Sequence, residues 1–418
     1  MMNNYEISYK NFYISFLIIV IINFINFYAS VINPNLNIII EIFIGSHIFF
    51  SVFLITRKIN FINFFSESSN RLFFILLLYC ALQFLRPPAD GYDINIRNYW
   101  LSKFGGLNYD AIFLLPFFYF WSYYENSIYW FERISLLSVK IGIYLIPICY
   151  LLNLPLFYVA FLPIYYLLAG YKYSDFKRKI WILSGFLIGN YIFFIDVHRS
   201  AIFRCFFALL ILFLINYNFK KINTIIIYIL LSVPFIFLIS YYYLDQSIFV
   251  LIFKKLNLVD SIYSVDTRSF IYKDVMTHFE NYGNIFIGDG GFSNYFSDYF
   301  YNWRNVLGRD SGDSPFRYNA EVGILGIILK GGLIFLLLIS LMVFKSIYLS
   351  VKYSKNNYTY SLAFIFTSYF MFYGVENIFI FDLLNISFWI MLSITSNIKL
   401  YSIEEEEMIK IFKRVNNV

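Results

Sequence analysis

A small set of ionisable residues stands where an apolar chain gains nothing from them, and their types point to anion chemistry. The segment from Asp266 to Phe279 reads as an amphipathic helix: Ile271, Val275 and Phe279 recur at helical spacing, and Asp266 or Thr267 can cap its start. Arg268 then falls in the first turn, where the helix dipole disfavours a cation. That placement makes sense if the helix start and the guanidinium together hold an anion such as a phosphate. Snorkelling to lipid headgroups, or pairing with Asp266, accounts for Arg268 equally well. A second case is the tight turn Asp196-Val197-His198-Arg199-Ser200-Ala201 between two apolar runs. Arg199 marks a helix start there, and Arg204 lies about 7 Å further along at helical rise. An ionisable residue inside a membrane span is a functional candidate by default; for Arg204 the plainer role is partner to a buried carboxylate such as Asp382. Two arginine-marked helix starts facing one cavity suit a pyrophosphate.

The stretch Asp310 to Glu321 leads into Val322-Gly323-Ile324-Leu325-Gly326-Ile327-Ile328-Leu329-Lys330-Gly331-Gly332. Glu321 sits at the start of that apolar run, where it serves either as a cap favoured by the dipole or as a general base taking a proton from a sugar hydroxyl. Arg317 precedes it by one helical turn. Gly288-Asp289-Gly290-Gly291 reads as a turn; no nucleotide-binding helix follows it. His198 and His278 have no metal-ligand spacing, and Asp90 and Asp93 read as a solvated loop. Cys80, Cys149 and Cys205 lie in apolar runs, without the spacing of a metal site or a disulfide framework.

The elements that must position these residues are membrane spans. Of 418 residues, 60% are hydrophobic and 14% charged, against about a quarter charged in a soluble domain; mean hydropathy is +0.65. The net charge of +6 is confined to short clusters between apolar runs, which is not the pattern of a nucleic-acid-binding face. The run from about residue 12 to 32 is too long for a signal h-region and is expected to be an anchor. Twelve spans are expected, near 12–33, 36–56, 72–86, 109–124, 134–152, 154–171, 180–195, 200–217, 223–244, 322–348, 358–374 and 378–398. The third and fourth are short for a crossing.

Basic residues fix the expected orientation. With the N-terminus inside, Arg57, Lys58, Arg71, Arg133, Lys172, Lys177, Arg178, Lys179, Lys220, Lys221, Lys345, Lys352 and Lys355 all fall in inner connections. The connections at 33–35, 153–155 and 375–377 hold no Lys or Arg. The resulting expectation is an all-α polytopic membrane protein with both termini inside. Residues 1–245 form the first nine helices, with a small outer loop at 87–108. Residues 246–320 form a long outer loop with short amphipathic helices, 321–398 the last three spans, and 399–418 an inner tail. The long loop is rich in Tyr, Phe and Trp, so it is expected to be ordered.

In three pieces the chain resembles the O-antigen polymerase and ligase superfamily, in particular the Wzy-type polysaccharide polymerases. They are the turn His198-Arg199-Ser200-Ala201, Arg268 followed by Gly288-Asp289-Gly290, and the stretch from Glu321 through Leu325 to Gly331 or Gly332. The resemblance covers roughly residues 195–335. It implies a GT-C-like membrane glycosyltransferase of the bacterial inner membrane that joins oligosaccharide repeat units carried on undecaprenyl pyrophosphate. It further implies no cofactor and no metal, with a protein that sets chain length as an expected partner. On that reading Arg199 and Arg268 neutralise the departing pyrophosphate, Glu321 is the base, and Arg204 and Arg317 assist. Tyr295, Tyr299 and Trp303 would stack on sugar rings. Ligases of this superfamily typically show a His-Asn pair where this chain has Glu321-Val322, which favours a polymerase. The main rival is a flippase for the same lipid-linked sugars; no internal repeat of the transporter kind is evident.

Overall fold

The computed structural model describes residues 64, 67–86, 111–123, 126–151, 161, 163–195, 206–207, 209–210, 220–244, 269–281, 283–291, 293–297, 316–317, 320–374 and 383–416. These are mostly helical. In chain order the helices are α1 (Ser68–Leu85), α2 (Ala111–Leu114), α3 (Ser127–Leu151), α4 (Ile164–Leu167), α5 (Phe176–Ile195), α6 (Lys220–Leu244) and α7 (Ser269–Asn281). After a two-stranded ladder of β1 (Tyr295–Phe296) and β2 (Phe316–Arg317) come α8 (Gly323–Tyr353), α9 (Asn357–Phe372), α10 (Leu383–Ser396), α11 (Ile398–Tyr401) and α12 (Glu405–Asn416). A 3-10 segment, Leu115–Tyr123, continues α2.

Among the described residues three helices, α1, α3 and α8, are long and apolar enough to cross a membrane. The chain therefore has membrane character. The expected third span is one of them, starting four residues earlier than its apolar run and reaching 18 residues. The expected fourth is a short α-helix continued as 3-10, a tighter winding that lengthens the rise per residue. The first two expected spans, most of the eighth, and the loop 87–108 lie outside the described residues.

Polar side chains tie the helices together, as expected where lipid supplies no hydrophobic drive between them. Tyr119 of the 3-10 segment stacks on Phe73 of α1 at 4.0 Å and hydrogen-bonds Ser396 of α10 at 2.6 Å. The Asn397 side chain donates to the Ser122 carbonyl at 3.0 Å. Ser346 of α8 and Thr395 of α10 share a hydrogen bond, and Ser350 donates to the Thr359 carbonyl of α9 at 2.9 Å. Cys80 and Cys149 are buried free thiols, as packing residues would be.

These contacts sort the chain into two ends. At one, Lys345 reaches Ser68 (2.7 Å), and Arg178 forms a buried ion pair with Glu132 (2.6 Å). The tail closes the same end. Its helix α12 buries Met408, Phe412 and Val415, with Phe412 stacked on Tyr173 at 4.9 Å. Glu405 accepts from the Asn357 backbone N–H (2.9 Å) and the Tyr173 hydroxyl (2.8 Å). The tail is thus a docked amphipathic helix. At the opposite end, the start of α8 meets the end of α9 through the Ile324 N–H and the Tyr373 carbonyl (2.8 Å), and α7 lies against it through the Tyr272 hydroxyl and the Gly374 carbonyl (2.7 Å).

Candidate functional site

The chemistry-bearing residues that the structure describes gather at that second end, where the long polar loop meets a broken helix. α8 is interrupted at Gly332, which has φ 70° and ψ −176°, a conformation open essentially to glycine alone. The 21 residues from Leu333 to Tyr353 rise about 31 Å, enough for a hydrocarbon core of about 30 Å. The nine before the break, Gly323–Gly331, form a short separate half.

A break strands backbone groups, and each unmet one costs several kcal/mol away from water. The turn around Gly288-Asp289-Gly290 meets them from both sides. The N–H groups of Asp289 and Gly290 donate to the Leu329 and Lys330 carbonyls, each at 2.9 Å. The N–H groups of Leu333 and Ile334 donate to the Ile285 and Phe286 carbonyls at 2.8 and 3.1 Å. Close approach requires glycine on both faces. A Cβ on Gly288 would lie 2.5 Å from the Gly332 nitrogen, and one on Gly332 would lie 2.3 Å from the Phe286 oxygen.

The end of α1 holds the turn from a third side. The Tyr79 hydroxyl donates to the Gly331 carbonyl (2.7 Å), and Gln83 donates to the Ile287 carbonyl (2.8 Å) and to the Tyr79 oxygen (2.9 Å). The Arg86 guanidinium donates to the Gly288 carbonyl. Beside the break, Lys330 in the short half of α8 is buried, 2% exposed.

Two further links fasten the loop to itself. α7 buries Ile271, Tyr272 and Val275 and leaves Lys273, Thr277 and Glu280 exposed, so the stripe read from the sequence is the packed face. At its end, His278 Nε2 and Asp289 Oδ2 are 2.7 Å apart, while Asp289 Oδ1 accepts the Asn284 N–H at 3.2 Å. One turn earlier Asp274 is buried and accepts from Ser297. The ladder pairs Tyr295 with Arg317 and Phe296 with Phe316. Arg317 then donates to Glu321 at 2.8 Å, the two side chains 30% and 27% exposed.

Of the residues expected to act, Arg317 and Glu321 are brought together. Glu321 is not a helix cap: Val322 holds that position, and the carboxylate is ion-paired instead. Tyr295, in β1, is 1% exposed, so its ring is buried rather than open to a sugar. Arg199, Arg204, Arg268, Tyr299 and Trp303 lie outside the described residues, as does Asp382. Among the described residues no cluster of His, Cys, Asp and Glu could hold a metal ion.

Sequence reasoning missed Tyr79, Gln83, Arg86, His278 and Asp289. A signal existed for Gln83 and Arg86, polar residues closing an apolar run. None existed for the His278–Asp289 pair, which depends on where the turn docks. Comparison with protein-family models, with curated proteins and with solved structures finds no match for this chain.

Proposed function

We propose that the protein is a membrane glycosyltransferase that polymerises oligosaccharide repeat units carried on undecaprenyl pyrophosphate, at the outer face of a bacterial inner membrane. The observation that carries this reading is the docking of the loop turn Gly288-Asp289-Gly290 into the break at Gly332. Two pieces of sequence that suggested the polymerase resemblance, apart in the chain, thereby form one unit. A turn held in the break of α8 suits a lipid-linked substrate, whose pyrophosphate sits at headgroup depth while its sugars extend into water.

In this reaction a hydroxyl of one lipid-linked unit attacks the anomeric carbon of the growing chain. The bond from that carbon to the pyrophosphate breaks, and charge leaves on the lipid pyrophosphate. Arg199 and Arg268 are the proposed groups that neutralise it, with Arg204 and Arg317 assisting. The bilayer, the lipid-linked oligosaccharide and a chain-length-setting protein are the proposed partners.

Deletion of the gene, followed by analysis of surface polysaccharide, tests the reading. Loss of long chains, with single repeats still attached to lipid A, is the expected outcome. Loss of both forms overturns it in favour of export. Retention of polymer in Arg199→Ala and Arg268→Ala removes those two residues from the site. A flippase for the same lipid is the second reading, favoured by the interrupted helix, a feature common among transporters.

A further inference from the structure

We infer that the surface between α3 and α5 binds an anionic phospholipid of the bilayer, its phosphate held by Lys140 and Lys177 and its acyl chains lying along the exposed apolar residues beside them. Such a site requires only the membrane character of the chain and does not depend on the polymerase reading.

Lys140 falls inside α3, one of the membrane-length helices, two turns past Arg133 and about 10 Å further along at helical rise. A charge within a span is costly unless it finds a partner or polar surroundings. The Lys140 ammonium lies over the Trp181 ring of α5, 5.5 Å from its centroid. Tyr144, one turn on from Lys140, packs edge-on against the same ring at 5.7 Å. Trp181 thus joins the two helices at their surface. Lys177 precedes it by one turn on α5 and is exposed.

The charges that act on Lys140 are Lys177, Arg178 and Arg133, all of them cations. The nearby acids are engaged elsewhere: Glu132 pairs with Arg178 at 2.6 Å, and Asp175 accepts the Arg178 N–H at 2.9 Å. Among the described residues neither Lys140 nor Lys177 forms an ion pair. Two like charges are therefore held on one face with no carboxylate between them.

Away from the lysines the same surface turns apolar. Tyr144 and Ile148 of α3 are exposed, and so are Ile180, Leu187 and Tyr191, which recur at helical spacing from Lys177. Exposed apolar residues alone select no particular lipid, because any bilayer-facing helix presents them. The two ammonium groups make the selection. A phosphodiester supplies the missing negative charge and strong acceptor oxygens, and the lysine stems reach it while their methylenes stay on apolar surface. The indole sits between lysines and apolar stripe, as such rings do where headgroup meets acyl chain. A soluble anion would meet the lysines but leave the stripe unused, and a choline lipid would bring a cation of its own.

The test reconstitutes the full-length protein in phosphatidylcholine nanodiscs, which expose both leaflets. A titrated fraction of either phosphatidylglycerol or phosphatidylcholine, brominated in the acyl chains, is included. Bromine quenches indole fluorescence at close range, and subtracting the Trp181→Phe signal isolates Trp181. Brominated phosphatidylglycerol is expected to quench Trp181 with a preference of about tenfold or more, each cation near charged headgroups being worth on the order of fivefold. Lys140→Gln/Lys177→Gln should reduce that preference to about twofold or less. Lys352→Gln/Lys399→Gln removes the same charge from α8 and α11 and should leave it unchanged. Equal quenching by the two lipids in the wild type overturns the site. So does a preference that survives loss of Lys140 and Lys177, or one that the control pair loses as well, since either outcome reduces it to general attraction by a basic end. If the double variant does not fold, Lys177→Gln alone, at an exposed position, gives the reading: a preference lowered about fivefold supports the site, and an unchanged one overturns it.

Discussion

Glu405 shows how much one side chain can decide. Burial alone would raise its carboxyl, but the Asn357 N–H, the Tyr173 hydroxyl, the Asn357 amide and the Lys172 ammonium outweigh burial and hold it below its ordinary value of 4.5. Because the carboxyl is lowered in the folded state, its contribution to tail docking is fully present above the ordinary value and is lost as pH falls through the lowered one. Protection of the 405–416 amides, measured relative to their intrinsic exchange rate at each pH, is therefore expected to be high at neutral pH and to fall as pH drops through the acidic range. In Glu405→Gln the exchange should be faster at neutral pH, and this acid dependence should largely disappear. Arg317 and Glu321 make the complementary point. Both were legible as candidates from their types and positions, yet the sequence did not say that they satisfy each other.

At the scale of elements, the broken helix α8 and the loop turn define each other. Gly288, Gly290 and Gly332 all have positive φ, but they differ in what surrounds them. Gly290 has nothing within 3.9 Å of an added Cβ, so Gly290→Ala meets only the backbone strain, about 1–3 kcal/mol. Gly332→Ala and Gly288→Ala add a direct backbone clash and push the turn off the helix, exposing the four loop–helix hydrogen bonds. Thermal unfolding in detergent should rank them Gly290→Ala as mild and the other two as severe, by several kcal/mol, with the loop becoming protease-sensitive. Equal effects at all three positions would contradict the docking. The sequence showed a turn at 288–291 and a return to the membrane at 321–332. It did not show that one plugs the other, because backbone-to-backbone bonds leave no residue-type signature.

For the whole molecule, the division into two ends carries the argument about orientation. Lys345, Arg178, Lys172, Lys355 and the tail helix share one end, while Arg86, the docked turn and the start of α8 share the other. The alternation of basic residues assigns the first of these ends to the inner side, and that expected topology is testable. A reporter fused after residue 418 should read as cytoplasmic, and one inserted near residue 311 as external. A cytoplasmic reading at 311 would invert the proposed site.

By itself, the sequence determined that this is a chain of membrane character, because hydropathy is a local property summed along the chain. It also placed the amphipathic face of α7, since a helical stripe is written in consecutive residues. Only the tertiary structure decided which of those residues meet. Whether Glu321 caps or pairs, whether Tyr295 is open or buried, and whether His278 meets Asp289 depend on contacts between segments separated in sequence. Those contacts are set by packing and by backbone groups that every residue carries alike.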